Sequence, residues 1–266
     1  KKPFGLAPGM GLNAFFAFTV VGQMGYSWQV ALAAVFVEGI IFIILSLTKV
    51  REAIFNCIPP ALKYGVTSGI GLFIAFIGMQ NAKIVVDGPT LVGLYPFRAA
   101  LLDGSFYTVG IGAFLALMGT LLTAILMAKK VPGGILWGIL ITWAAGMICE
   151  MTGIYIPDPA QGMFSVMPDF SHGIAIPSLE PTFMHLDFSA IATLNFLTIM
   201  LTFMFVDLFD TLGTLIGVAS KADMLDKQGR LPNIKGALMA DSIATTAGAI
   251  LGTSTVTPFV ESSAGV

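Results

Sequence analysis

Charged side chains are scarce in this sequence, and their scarcity excludes most soluble proteins. Asp, Glu, Lys and Arg make up 11% of the 266 residues, against 56% hydrophobic residues, whereas soluble domains carry about 25% charged residues. The net charge is −2, and no basic tract suggests nucleic-acid binding. No nucleotide-binding loop is present, so ATP is not the energy source in this chain. We therefore interpret the chain as an integral membrane protein in a lipid bilayer.

Long apolar runs then give the architecture. Because only helices or closed barrels satisfy backbone groups in lipid, and these runs are too long for barrel strands, an all-α bundle is expected. The chain begins and ends inside apolar segments, and we expect it to be a piece of a longer protein. The eight predicted spans lie at roughly 4–25, 28–48, 62–82, 105–128, 131–149, 189–219, 234–252 and from about 253.

The basic residues fall on one side of these spans. Alternating spans place eleven Lys and Arg residues, Arg51 among them, on one side and only Lys83 and Arg98 on the other. The side with eleven Lys and Arg residues is therefore predicted to be cytoplasmic. The connection at 150–187 then lies outside, with five acidic residues, five prolines and both histidines.

Histidine and cysteine are too few and too dispersed to suggest a metal site. His172 and His185 are thirteen residues apart without nearby cysteines, so we expect loop residues rather than metal ligands, and no cofactor. Cys57 and Cys149 are predicted on opposite sides of the membrane. They are therefore too far apart for an intramolecular disulfide.

Carboxylates interrupt the apolar segment Phe203–Gly217. Asp207, Asp210, Thr211 and Thr214 share one face of a helix at this spacing. Each aspartate in a bilayer costs roughly 2.5–3.5 kcal/mol on an insertion scale. The default interpretation is a substrate or proton pathway. The alternative is a pair of hydrogen-bonded acids that hold helices together.

Two other segments do not resemble ordinary spans. LAPGMGLN at 6–13 should be extended, with a helix beginning near Asn13, because proline and glycine disfavour a helix. GTSTVTPFVE at 252–261 suggests an extended piece that meets a half-helix near Glu261. Non-helical backbone at membrane depth lines a cavity or is buried in protein. Two such segments entering from opposite sides predict an inverted-repeat transporter.

Three motifs strengthen this interpretation: GLAPGMGLNAFFAFTVVGQMGYSWQVALAAVFVEG, FVDLFDTLGTLIG and GTSTVTPFVESSAGV. They resemble the AzgA-like purine permeases of the nucleobase–cation symporter and nucleobase–ascorbate transporter superfamily. The resemblance implies a cell-membrane protein with two inverted repeats of seven spans, a core and a gate domain, two strand-interrupted half-helices, and a homodimer. This chain would hold core segments at 1–58 and 189–266, gate spans at 59–150 and an extracellular connection at 151–188.

The resemblance also implies site residues. Substrate contacts correspond to Asn13, Asp207 and Glu261, while Asp210 and Asp241 correspond to acids needed for transport. Asp207 and Glu261 could also carry a proton. A carboxylate can accept a paired set of N–H donors from a purine, and Asn13 can both donate and accept.

Aromatic residues and one further acid accompany these positions. Phe15 and Phe259, together with Phe16 and Phe205, lie beside the polar residues and could stack on the base, although core or lipid contact is the commoner role of each. Glu38 is another mid-membrane acid, which either functions in transport or bridges packed helices.

The driving ion is predicted to be a proton. A neutral base gains nothing from the membrane potential, whereas a proton gains about 2.3 kcal/mol per 100 mV, and a buried carboxyl group can carry it. Sodium is the alternative ion. An intramembrane aspartyl protease remains open because Asp241 could face Asp207, although no GxGD sequence is present. An anion transporter would need a cation near the midplane, and no Lys or Arg falls inside a predicted span.

Overall fold

The computed structural model describes residues 3–169, 173, 178–227 and 229–265. Lys1 and Lys2, two of the eleven basic residues on the predicted cytoplasmic side, and His172 of the predicted outer connection lie outside these ranges. The chain divides into two compact units, one of Lys1–Leu72 with Pro177–Val266 and one of Phe73–Ile176.

Nine α-helices and four short strands make up the regular structure of the described residues. In chain order they are β1 (Leu6–Pro8), α1 (Met10–Ala14), which continues as a π-helix (Phe15–Gln23), α2 (Trp28–Leu47), α3 (Val50–Cys57), α4 (Pro60–Asn81), β2 (Val85–Gly88), β3 (Leu91–Leu94), α5 (Phe97–Asp103), α6 (Gly110–Ala128), α7 (Gly134–Met151), α8 (Leu194–Lys221), α9 (Ile234–Leu251) and β4 (Val256–Pro258). Short 3₁₀ helices occupy Ser105–Tyr107, Pro159–Gln161 and Val260–Gly265.

Six of these helices are long and apolar enough to cross a membrane. They are α2, α4, α6, α7, α8 and α9. The predicted helical membrane class is thus confirmed. The first predicted span is instead a strand followed by a shorter apolar helix, Met10–Gln23, and the described part of the last is a strand followed by a 3₁₀ helix.

The first helix begins at Met10, three residues before the predicted start at Asn13. Amide groups in the first turn of a helix have no intrahelical acceptor, so Pro8 and Gly9 can directly precede it. The Asn13 amide already donates to the Gly9 carbonyl at 2.8 Å. A Cβ on Gly9 would lie 2.9 Å from the Thr257 hydroxyl, so glycine permits the close approach of this turn to β4.

Side-chain caps set the starts of two long helices, α2 and α8. The Ser27 hydroxyl accepts from the Val30 amide at 3.3 Å and begins α2. The Thr193 hydroxyl accepts from the Phe196 amide at 3.2 Å and begins α8 at Leu194, five residues after the predicted start of that span at 189. Such caps satisfy amide groups that the helix cannot.

The core of the first unit is the packing of α2 against α8 and α9. Small residues on α2, such as Ala31 and Ala34, are fully buried there. At Gly39 an added Cβ would lie 2.9 Å from the Thr246 amide nitrogen of α9. This close approach of the two backbones buries the neighbouring Glu38 completely.

The second unit packs α6 against α7. Thr123 and Thr142 each donate to a carbonyl of their own helix, at 2.8 Å and 2.7 Å. Each then contacts a glycine of the other helix, Gly138 and Gly119 respectively. An open groove of about 660 Å³ lies along this pair, lined largely by small and apolar side chains. None of the predicted site residues lines it.

Candidate functional site

The two broken segments pair with each other. β1 and β4 form a two-stranded antiparallel sheet with the register Leu6–Pro258, Ala7–Thr257 and Pro8–Val256. Two flanking bonds extend the ladder: the Gly9 amide donates to the Thr255 carbonyl at 3.1 Å, and the Phe259 amide to the Gly5 carbonyl at 2.8 Å. The segments therefore satisfy each other's backbone groups, as apolar surroundings require.

Each strand leads directly into a helix that carries one predicted substrate residue. Asn13 lies on α1 just after β1, and Glu261 lies in the first turn of the 3₁₀ helix after β4. Both side chains are exposed. The Ser254 hydroxyl donates to Oδ1 of Asn13 and fixes the orientation of that amide. Asn13 thus follows one strand of the pair and Glu261 follows the other.

A buried guanidinium holds two of the predicted acids together. Nη2 of Arg51 lies 2.7 Å from Oδ2 of Asp241 and 3.6 Å from Oδ2 of Asp207. Both carboxylates are fully buried, and Arg51 is 2% exposed. Nη1 of Arg51 also donates to the Ser242 hydroxyl at 2.9 Å and to the Leu238 carbonyl at 3.2 Å.

The predicted polar face of α8 takes part in this contact. The Thr211 hydroxyl lies 2.8 Å from Oδ1 of Asp207 and 3.4 Å from Oδ2 of Asp241. Asp207, Thr211 and Thr214 are all buried, whereas Asp210 is only partly buried. Asp210 accepts a hydrogen bond from the Thr257 side chain of β4 instead. The two aspartates of α8 therefore have different partners.

Glu38 joins the same group from α2. Its Oε2 accepts from the Thr255 hydroxyl at 3.0 Å. We name Glu38, Asp207, Asp241 and Arg51 the buried acid cluster. It contains three carboxyl groups and one guanidinium. One oxygen of each carboxyl group has no hydrogen-bond partner among the described residues: Glu38 Oε1, Asp207 Oδ2 and Asp241 Oδ1.

The predicted aromatic residues occupy different surroundings. Phe15 packs edge-on against the buried ring of Phe203, with centroids 5.0 Å apart, and Phe16 lies 6.2 Å from the same ring. Phe205 is 57% exposed. It lies two residues before Asp207 on α8, and residues at that spacing are on different faces of a helix. Phe259 is partly buried beside β4.

Two of the eleven basic residues on the predicted cytoplasmic side are buried: Arg51 is 2% and Lys63 3% exposed. Arg51 lies on α3 and not in a loop, and its guanidinium is stacked 3.9 Å from the Phe42 ring centroid. The segment VREAIFNC carried a signal: Phe55, four residues on, shares the helix face of Arg51 and is also buried. The absence of a cation inside the predicted spans therefore carries no argument against an anion transporter.

Comparison with known proteins gives the family. The chain is 45% identical over 271 residues to guanine/hypoxanthine permease PbuG of Bacillus subtilis, covering 100% of this chain and 55% of that protein. It is 41% identical over 268 residues to guanine/hypoxanthine permease PbuO of the same organism, covering 99% and 56%. It is 37% identical over 265 residues to adenine permease AdeQ of Escherichia coli, covering 99% and 54%.

The chain thus spans about half the length of the curated relatives it matches. It matches the Permease family (Xan_ur_permease) over residues 1–266. These relatives are named as permeases. The resemblance in the three motifs is confirmed: this multi-pass membrane chain belongs to the Permease family.

Proposed function

We propose that the protein containing this chain is a secondary active transporter that imports purine nucleobases by proton symport. The observation that carries the proposal is the location of Asn13 and Glu261 on the helices that follow the two strands of one pair. Thr255, directly before β4, contacts Glu38 of the buried acid cluster, and Thr257 of β4 contacts Asp210. Polar binding groups and buried carboxyl groups are therefore connected by a few residues.

Hypoxanthine and guanine are the favoured substrates, with adenine as the alternative. PbuG and PbuO, named for guanine and hypoxanthine, are 45% and 41% identical to this chain, and AdeQ, named for adenine, is 37% identical. The exposed carboxylate of Glu261 is an acceptor, which suits the N1–H of hypoxanthine and guanine better than the unprotonated N1 of adenine. We assign Asn13 as the second polar contact.

The aromatic and acidic residues take further roles in this proposal. Phe259 beside β4 is the better candidate for stacking on the base, since Phe15 already packs on Phe203. Asp207, buried and bonded to Thr211, contributes to coupling more directly than to substrate contact. We assign Asp210 and Asp241 to coupling as well.

A proton suits the charge balance of the buried acid cluster. The cluster holds three fully buried carboxyl groups but one guanidinium, which contacts Asp207 and Asp241, and unpaired buried charges are costly in apolar surroundings. Binding a proton removes one such charge. Sodium remains the alternative ion, because carboxylate and hydroxyl oxygens can also coordinate it.

The remaining expectations of the family resemblance belong to this proposal. We assign residues 1–58 and 189–266 to a core domain and residues 59–150 to a gate domain of an inverted-repeat fold of two seven-span repeats. We also expect a homodimer in the cell membrane. The small residues of the α6–α7 pair are typical of close helix packing in such a bilayer protein.

Uptake by cells tests the proposal. Radiolabelled hypoxanthine, guanine and adenine are offered to cells that lack purine permeases and produce the complete gene product, with and without a protonophore. We expect uptake that collapses with the protonophore. Glu261→Gln should reduce uptake by at least about tenfold, since it removes charge-assisted hydrogen bonds. Glu180→Gln in the exposed outer connection is the matched control.

Each other outcome has a defined meaning. Purine uptake that depends on sodium and not on pH would replace the proton with sodium. Full uptake by Glu261→Gln would remove Glu261 from the site. No purine uptake by the unaltered protein would overturn the proposed substrate.

A further inference from the structure

Glu38 is the carboxyl group of the buried acid cluster that has no individual role in the proposed function. It lies in the middle of α2 and is fully buried. Its Oε2 accepts from the Thr255 hydroxyl at 3.0 Å, while Oε1 has no hydrogen-bond partner among the described residues. A carboxyl oxygen left unpaired in the protein interior is costly. A group kept at that cost on a membrane helix points to function.

The charged groups that act on Glu38 come from three different helices. They are Asp207 of α8, Asp241 of α9 and Arg51 of α3. The π-helix that also packs on α2 carries no titratable residue. Asp207 Oδ2 and Asp241 Oδ1 also lack hydrogen-bond partners among the described residues. A proton on Oε1 of Glu38 would turn this oxygen from a hydrogen-bond acceptor into a donor. Carboxylate oxygens that have no hydrogen-bond donor in the described part of the chain are present on the residues that act on Glu38.

The residue that binds Glu38 is adjacent to the residue that binds Asn13. Thr255 donates to Glu38, and the preceding Ser254 donates to Oδ1 of Asn13. The Thr255 carbonyl accepts from the Gly9 amide, at the start of the helix that carries Asn13. Two consecutive residues therefore contact both the buried acid cluster and a proposed substrate residue.

We propose that Glu38 is a coupling residue, whose gain and loss of a proton acts on the substrate residue Asn13 through the segment Ser254–Thr255. This inference rests on the proposed function and deepens it. Glu38 does not touch the substrate; it is a positioning residue. Its ionised form accepts from Thr255 and holds Ser254 against Asn13. Its protonated form also has a hydroxyl to donate, and the Thr255 contact can then rearrange.

The variant Glu38→Gln tests the coupling. Glutamine keeps the size of the side chain and an acceptor for Thr255, but it neither gains nor loses a proton. The complete gene product is reconstituted in lipid vesicles and assayed for hypoxanthine in two ways. One assay measures accumulation driven by a pH gradient, and the other measures exchange of labelled for unlabelled hypoxanthine at equal pH.

We expect accumulation by Glu38→Gln to fall by roughly tenfold or more, because the proton gradient no longer contributes to uptake. Exchange should persist within about threefold, and its pH profile should flatten. Loss of accumulation with retained exchange is a split that mere destabilisation would not produce. Accumulation and a pH profile equal to those of the unaltered protein would overturn the role of Glu38.

A second variant and a matched control cover the case in which Glu38→Gln does not reach the membrane. Thr255→Val removes the contact to Glu38 and should also uncouple accumulation from exchange. Thr245→Val removes a hydrogen bond of 2.8 Å to the Val256 carbonyl of β4; among the described residues, the Thr245 hydroxyl makes no hydrogen bond to a carboxyl group. It should leave coupling intact. The same loss in both threonine variants would mean that attachment of β4, and not Glu38, is responsible.

Failure of this inference differs from failure of the proposed function. If the unaltered protein neither accumulates nor exchanges purines, the proposed function fails and the inference fails with it. If the unaltered protein is proton-coupled and Glu38→Gln is equally coupled, only the inference fails.

Discussion

Replacing Arg51 with methionine removes the guanidinium that Asp207 and Asp241 share. The side chain is 2% exposed, and its contacts at 2.7 Å and 3.6 Å are to fully buried carboxylates. Methionine keeps much of the volume but leaves both acids without that counter-charge. Removing one partner of a buried ion pair destabilises a protein by about 3–5 kcal/mol. We expect a loss of that size for Arg51→Met.

A double-mutant cycle separates the ion pair from simple loss of packing. Asp241→Asn removes the other charge of the 2.7 Å pair, so the second substitution should cost less when the first is already present. The expected coupling is on the order of 2–3 kcal/mol in the free energy of unfolding. Unfolding is followed in detergent micelles by tryptophan fluorescence. Arg98→Met, an exposed residue of α5, should change stability by less than about 0.5 kcal/mol.

The result that would refute this reasoning is additivity. If Arg51→Met costs less than about 1 kcal/mol and its effect simply adds to that of Asp241→Asn, then the guanidinium and the carboxylate do not stabilise each other. The guanidinium would then not be what stabilises the buried carboxylates, and the argument that their excess negative charge favours binding of a proton would fail.

Two smaller predictions concern helix packing and use the same unfolding assay. Gly119→Ala should lower the free energy of unfolding by about 1–3 kcal/mol, because the added Cβ would meet the Thr142 side chain. Gly112→Ala on the same helix is the control: its Cβ would meet nothing within 4 Å, and stability should be unchanged or slightly higher. Equal effects of the two substitutions would contradict the packing argument. Thr67→Val should cost about 1 kcal/mol, because its hydroxyl donates to the Gly213 carbonyl at 2.7 Å; an unchanged stability would show that this bond does not hold α4 against α8.

The helical membrane class could be predicted because it depends on composition and run length alone. The broken segments could also be predicted, since proline and glycine act on the local backbone. The three-residue error at Asn13 arose because the same residues that stop a helix are tolerated in its first turn. Local sequence thus predicts that a helix or strand is present more reliably than it predicts the residue at which that element begins.

The contacts of the site could be predicted only in part. The shared helix face of Asp207 and Thr211 follows from their spacing, and in the structure their side chains lie 2.8 Å apart. The contact of Arg51 with Asp241 joins residues 190 positions apart, and nothing in the local sequence fixes it. Thr255 to Glu38 is a contact of the same kind, at a separation of 217. Long-range contacts of this kind depend on how the helices pack, which spacing does not reveal.

The strand pair is the element through which these long-range contacts act together. Backbone groups that lose their partners in apolar surroundings cost several kcal/mol each. Separating β1 from β4 would break the ladder and its two flanking bonds at Gly9 and Phe259. That cost exceeds what a few side-chain contacts could offset, so the pair should move as one piece. A change at Glu38 is then transmitted by a shift of the Ser254–Thr255 segment and the strands with it, and not by opening of the sheet.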